Sequence, residues 1–376
     1  MNSVEGGSPR ILHIHPDSPN GASARICLET VTGLGGAFAH DFAGGRIGSG
    51  TLETPGVRVN SRRLGGVPAI SGYIGPGGMV RLARAMAGYD LVLTYGWGAI
   101  NAAMAHKVFG RSFSLPPLIH HETGLGEAGD DEFSPWRNLY RRVALGSAQS
   151  VVVETSEVAR RAAQAWQVPQ SRLHIIPRAV EIVADGRKPA PDALPGLIKR
   201  KGECWAGTII AGDDIRGVIP LIEQIVELPA NWHLVVFGER SALTGIKESA
   251  DRLELSHRVH LPGMAGDRST ALALLDIYVD CSGGHAFPAA AIEAMAAGLP
   301  VVSRLGSPAA GLVSQPNRNL ITNSDDATAF LVLAEEAQIR QEIGKANQVE
   351  VAANFGAANA LTQYDALYSG ALAGDS

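Results

Sequence analysis

Short apolar runs alternate with longer stretches of helical period along almost the whole chain. The runs "RILHIHP" (10–16), "DLVLTYG" (90–96), "PLIHHE" (117–122), "SVVVET" (150–155) and "LHIIPR" (173–178) predict strands. Between them "ARICLETVTGL", "AINAAMAHKVFG" and "SEVARRAAQAW" predict helices, the last opened by Ser156. Continuous β-branched runs bounded by helices are the pattern of parallel strands buried on both faces. The first half therefore reads as one doubly wound α/β unit. After it, "ADGRKPAPDALPGLIKRKGE" (184–203) is rich in proline, glycine and charge, has no apolar period, and reads as a linker. The rhythm then restarts: "CWAGTIIA", "WHLVVFG", "RVHLPG", "LLDIYVDCS" and "LPVVS" predict strands, with "RGVIPLIEQIVEL" a helix among them. A last helical region covers about 325–370.

The expected organisation is a first Rossmann-like domain over 1–183, the linker, and a second over 204–350. Residues 351–376 form a terminal helix that either caps the second domain or packs back on the first. Two such domains would face a cleft at the carboxyl ends of their strands, where ligands of open parallel sheets bind.

Composition narrows the classes. A length of 376 residues is too much for one ordinary core. A net charge of −5 and a pI near 6.1 argue against a general nucleic-acid binder. The opening "MNSVEGGSPRILHIHP" lacks the basic patch and apolar stretch of a secretory signal. No uncharged apolar run approaches the ~20 residues of a membrane helix. Cys27, Cys204 and Cys281 are odd in number and far apart, which suits reduced thiols, and no metal-ligand spacing is present. A cytoplasmic place is the expectation.

The second half carries an ordered set of motifs. They are "HIIPRAVE" (174–181), "IRGVIPLIEQI" (215–225), "WHLVVFGE" (232–239), "RVHLPGM" (258–264), "LLDIYVDCS" (274–282) and "HAFPAAAIEAMAAGLPVV" (285–302). In order and spacing this set resembles the family 4 glycosyltransferases of the GT-B fold, retaining enzymes that use nucleoside diphosphate sugars. The last stretch corresponds to that family's Glu-x7-Glu box. In the first half, "YDLVLTYGWGAINAAMA" and "PLIHHETGLGE" look like a bacterial branch acting in surface-polysaccharide assembly.

The resemblance assigns Glu293 to the ribose hydroxyls of the donor, on a helix whose alanines admit a ligand closely. A solvated surface glutamate is the plain alternative. Ala286, Phe287 and Pro288 open that helix, where backbone N–H groups suit a diphosphate, and Gly238 closes the strand before another donor loop. Gly21 stands in the loop after the first strand, where the family has Gly-Gly and this chain has Asn20-Gly21. Cations should complete the leaving-group site, by the same resemblance. Thr208 occupies the family's arginine position, and Arg216 is the candidate for its lysine, with Arg240, Lys247 and Arg304 as substitutes. His285 replaces the carboxylate that contacts the transferred sugar. It would select a different sugar, help hold phosphate, or mark a decaying site.

His120, His121 and Glu122 end a strand and are candidates for acceptor contact or sugar orientation. Trp136, Arg137, Tyr140, Arg141 and Arg142 share one helix, and such a basic, aromatic face suits peripheral contact with anionic membrane near a lipid-linked acceptor. An ordinary solvated face is the alternative. The expected function is a retaining hexosyltransferase-like enzyme moving a sugar to a glycan or lipid-linked acceptor, with no cofactor or metal and no nucleic-acid partner. The alternative is a catalytically impaired GT-B binding or regulatory subunit, towards which Thr208, His285, Ala286 and Asn20 point.

Overall fold

The computed structural model describes residues 8–15, 22–44, 50–54, 57–62, 70, 74–122, 134–180, 189–210, 215, 217–264, 266–281, 287–322 and 328–374. The chain divides into two compact units, residues 1–178 with 358–376, and residues 179–357. In the first unit the elements are β1 (Arg10–His15), α1 (Ala22–Leu34), β2 (Ala39–Gly44), β3 (Gly50–Thr54), β4 (Val57–Arg62), α2 (Pro76–Met86) and β5 (Leu91–Tyr95). There follow α3 (Ile100–Phe113), β6 (Leu118–Glu122), α4 (Pro135–Ala144), β7 (Ser150–Val153), α5 (Ser156–Gln164) and β8 (Leu173–Ile175). The second unit has β9 (Cys204–Ile209), α6 (Ile219–Gln224), β10 (Trp232–Phe237), α7 (Arg240–Arg252), β11 (Val259–Gly263), α8 (Arg268–Ala273) and β12 (Ile277–Asp280). It continues through α9 (Ala289–Ala296), β13 (Val301–Arg304), β14 (Ile321–Thr322), α10 (Thr328–Glu335) and α11 (Ala337–Asn354), after which α12 (Ala357–Ala373) returns to the first unit.

The first sheet has the order β3-β4-β2-β1-β5-β6-β7-β8, and only β3 with β4 is antiparallel among its pairs. Its strands are covered on both faces, as their apolar runs require. Ile11, Leu91, Leu93, Ile119 and Val152 meet Cys27 and Val31 of α1 and Tyr368 and Ala371 of α12. On the other face Leu12, Val92, Leu118 and Val151 meet Leu82 of α2, Ala102 of α3 and Val158 of α5. The second sheet, β11-β10-β9-β12-β13-β14, is parallel throughout. Ala206, Leu234, Val236 and Ile277 face α6, α7 and α10, while Trp205, Val235, Phe237 and Tyr278 face α8, α9 and Val351 of α11. Helices α9 and α11 approach so closely that a Cβ on Gly344 would collide with the carbonyl of Gly298, itself at φ +80° past the end of α9.

The structure adds four strands to the sequence reading. β2, "AHDFAG", has no apolar run because its polar side chains are buried with partners: Asp41 accepts from Arg10 Nη2 (3.1 Å) and Tyr89 Oη (2.8 Å). β3, β4 and the short β14 complete the sheet edges. Thr155, not Ser156, caps α5, its hydroxyl accepting from the Val158 N–H. The expected helix over 216–228 is only α6, with Pro220 in its first turn. The stretch read as a linker contributes Leu194 and Leu197 to the second core, and Lys199 donates to the Leu274 carbonyl (2.7 Å) and Asp276 Oδ2 (2.6 Å).

One buried polar network ties the second sheet to α11. Asn317 donates to the Val301 carbonyl (2.7 Å) and accepts the Val301 N–H (2.8 Å). Asn347 donates to Asn317 Oδ1 and to the Leu299 carbonyl, and accepts from Ser314. Both asparagines are wholly buried. Replacing Asn317 by Ala strands a buried donor and acceptor on Val301, at a cost of about 3 kcal/mol. Urea unfolding should show a lowered midpoint for Asn317→Ala; an unchanged midpoint would show that the network is not holding the strand.

Candidate functional site

Of the expected donor residues the structure describes Thr208, Gly238, Phe287, Pro288 and Glu293, all in the second unit. Gly238 follows β10, donates its N–H to the Gly263 carbonyl (3.1 Å), and leaves no room for a Cβ beside Ile210. Phe287 packs against the core under α9, and Pro288 is the buried residue that caps this helix. Glu293 lies one turn inside α9, its side chain 26% exposed, between the buried Ile292 and Ala294. Its Oε2 forms an ion pair with Arg268 Nη2 at 2.9 Å. Burial pushes the Glu293 carboxyl up, and Arg268 draws it back down. The sequence reading did not include Arg268. Its sign is only a cation at the start of a helix, which the fold brings to Glu293 from 25 residues earlier.

Thr208 lies on β9 at 1% exposure, and by strand alternation it shares the inward face of Ala206 and Ile210. It brings no charge to the edge. Arg240 opens α7 directly after β10, and Arg304 ends β13, both exposed at the same carboxyl edge. Lys247 is two turns further along α7. Arg216, His285, Ala286 and Gly21, with Asn20, lie outside the described residues.

In the first unit the strand ends carry a second polar constellation, sealed from solvent. His121 is 3% exposed; its Nε2 shares a hydrogen bond with Tyr368 Oη (3.2 Å) and its ring stacks on Tyr95 at 4.8 Å. Tyr95 Oη shares a hydrogen bond with His13 Nδ1 (2.9 Å), and His13 Nε2 with His40 Nδ1 (2.9 Å). Cys27 Sγ lies 3.1 Å from Tyr95 Oη, and burial pushes its thiol up to about 12. Such a thiol is inert as a nucleophile. On the opposite face Arg141 meets Glu122 twice, Nε to Oε2 at 2.9 Å and Nη2 to Oε1 at 3.3 Å, and His120 joins Glu122 to Thr94. Burial alone would raise Glu122, but Arg141 and His120 outweigh it and hold the carboxyl down at about 2.

This corrects the reading of α4 as one basic face. Arg141 is fully buried over the rings of Trp97 and Trp166, and Tyr140 donates to Asn101 Oδ1 (2.7 Å). The exposed positions are Pro135, Trp136 (65%), Leu139 (51%), Val143 (45%) and Arg142. No helix of the described residues is long and apolar enough to cross a membrane, and no group of three or more metal-ligating side chains among them is placed to hold an ion.

Residues 204–336 match the family model of the glycosyl transferases group 1. No curated protein matches the chain in sequence. Among solved structures, the chain is similar to HepE of Anabaena in complex with UDP and glucose, with 16% identity over 96% of this chain and 99% of that one, at a TM-score of 0.69. It is also similar to a glycosyltransferase of Rickettsia africae (14% identity, 99% and 100% covered, TM-score 0.71). A third is WaaG, a glycosyltransferase involved in lipopolysaccharide biosynthesis (14%, 93% and 98%, TM-score 0.57). The fold is GT-B.

The buried histidines make the first unit acid-sensitive. Burial, aided by neighbouring histidines at His13 and His121, lowers all three of His13, His40 and His121, His40 to about 4 and His121 to about 3. In the unfolded chain they titrate near 6.5, so below that pH the unfolded state binds more protons and stability falls. Each contributes a slope of about 1.4 kcal/mol per pH unit until its folded value is reached. Glu122 adds nothing in this window, since its contribution is complete above about 4.3 and is lost only towards about 2. Denaturant titrations at pH 7 and pH 5 should show a marked loss at pH 5; equal stabilities would mean that these histidines are not buried neutral.

Proposed function

We propose that the chain is a retaining glycosyltransferase that moves a sugar from a nucleoside diphosphate donor to a glycan or lipid-linked acceptor, in the cytoplasm at the inner face of the membrane. The observation that carries this reading is Glu293, an ion-paired, partly exposed carboxylate on an alanine-rich helix at the carboxyl edge of a parallel sheet, inside the matched segment. Two ribose hydroxyls find their acceptor in such a group. HepE, similar in fold, is known in complexes with UDP and with UDP-glucose.

In this proposal the departing diphosphate gains negative charge as the glycosidic bond breaks, and cations at the edge stabilise it. Arg216 is assigned there from its place in the sequence, and Arg240, opening α7, and Arg304, ending β13, stand on the same edge. His285, which precedes α9 in the sequence, is assigned to the transferred sugar or the diphosphate. The departing diphosphate acts as the base on the same face of the sugar, so no protein nucleophile and no metal enter the proposed mechanism. The burial of His121 beneath Tyr368 favours a part in setting the end of β6 over direct contact with acceptor. A second reading, a GT-B subunit that binds nucleotide sugars without transferring them, is favoured by the uncharged, buried Thr208. Release of UDP, GDP or ADP from the matching sugar donors by purified protein separates the two.

The acceptor side of the proposal rests on α4. Trp136, Leu139 and Val143 form one exposed apolar stripe at helical spacing, beside Arg142 and with no acidic residue on the helix. An anionic lipid surface suits that combination.

Two outcomes test this proposal. Glu293→Gln keeps one acceptor oxygen and loses the charge, so calorimetry with the best-bound nucleoside diphosphate should show a loss of about 1–3 kcal/mol. Unchanged affinity would remove Glu293 from the site. The Trp136→Ser, Leu139→Ser double variant should bind phosphatidylglycerol vesicles at least about tenfold more weakly than wild type, while neither protein binds phosphatidylcholine vesicles strongly. Equal partitioning of the two proteins would exclude α4 as the contact.

A further inference from the structure

The carboxylate assigned to the ribose is not alone. Arg268, the first residue of α8 and itself 44% exposed, holds Glu293 Oε2 through Nη2 at 2.9 Å. The neighbouring acid does not draw this arginine away from Glu293, because Asp267 is engaged by its own helix start. Its Oδ1 accepts the Ser269 N–H (3.0 Å) and Oγ (2.7 Å), and its Oδ2 accepts the Thr270 hydroxyl. The pair therefore joins the start of α8 to the body of α9, two helices that follow strands of one sheet.

We infer that Arg268 is a positioning residue for the nucleoside: it takes one oxygen of Glu293 and leaves the other, fixed in direction, to accept the ribose hydroxyls. The inference rests on the donor reading given above. A free glutamate on a helix samples several rotamers, and ordering it for a ligand costs part of the binding energy. An arginine already holding one oxygen removes that cost before the ligand arrives, while a carboxylate retains lone pairs enough for further donors. The half-buried setting raises the carboxyl, and Arg268 counters that shift, so the same contact favours the acceptor form. Arg268 touches the ribose only through Glu293, and its effect is therefore directed at the sugar edge of the nucleoside and not at its phosphates.

The test compares a ribonucleotide with its 2′-deoxy counterpart. UDP, GDP and ADP are titrated calorimetrically into wild type, and the tightest is paired with its 2′-deoxy form for wild type, Arg268→Ala, Arg268→Lys and Glu293→Gln. Wild type should favour the ribonucleotide by about tenfold or more, Arg268→Ala by about twofold or less, and Arg268→Lys by an intermediate ratio. Unfolding midpoints of the variants close to wild type show that the change is local, and the lysine variant separates a charge effect from a lost fold. Full discrimination retained by Arg268→Ala would overturn the inference, and tighter binding by that variant would show Arg268 to be a competitor of the ligand. If wild type binds none of the three nucleotides, or if Glu293→Gln discriminates as wild type does, the donor reading itself fails.

Discussion

Glu122 is a carboxylate with no access to solvent at the end of a parallel strand, and the arrangement around it depends on Arg141. Taking an isolated carboxylate out of water costs far more than the stability of a domain, so such a group persists only when it is paired and its lone pairs are filled. Arg141 fills two of these positions and His120 a third. The guanidinium is also fully buried, lying against Trp97 and Trp166. Removing one member of a pair like this costs about 3–5 kcal/mol, because the other is left buried and uncompensated. The consequence reaches the surface. With Arg141 turned inward to β6, the rotation of α4 is fixed, and Trp136, Leu139 and Val143 are turned to solvent.

The second unit contains a pair of the same chemistry in a different setting. Arg268 and Glu293 are 44% and 26% exposed, whereas Arg141 and Glu122 have no exposure at all. Solvent screens the open pair and lowers its contribution to stability. What an open pair offers is a carboxylate that a ligand can reach without opening the core. Burial thus separates two roles that the residue types alone do not: the closed pair fixes an element, and the open one is available to bind.

The same distinction governs how much was legible in the sequence. The buried strands β1, β5, β6, β7, β9, β10, β12 and β13 stand out as apolar runs because both faces are covered. β2 does not, because Asp41 and His40 enter the interior on the strength of partners from β1 and Tyr89 that are distant in sequence. The hairpin of β3 and β4 sits at an edge, where polar side chains weaken the apolar pattern. Glu293 was legible through its motif, but Arg268 was not, since nothing local marks a cation that pairs across two helices. Arg141 was visible as a charge and misread as exposed. Helical spacing places residues on a face without saying which face is covered, and here it was Glu122 that decided it.

The altered positions bear on where positive charge comes from. A nucleoside diphosphate leaving group needs cations that are already in place when its charge develops. In the resembled family one of these is rooted in the first strand of the second domain, where the backbone fixes it. Here that position is Thr208, uncharged and directed into the core. The arginines of that edge stand at the ends of elements: Arg240 opening α7 and Arg304 closing β13, both exposed, and Arg216 after β9 in the sequence. An exposed arginine loses side-chain entropy when it is ordered by a ligand, a cost that a strand-rooted residue has already met on folding. Under the proposed transfer, a cation ordered in this way ties rate to donor affinity more closely than a strand arginine does.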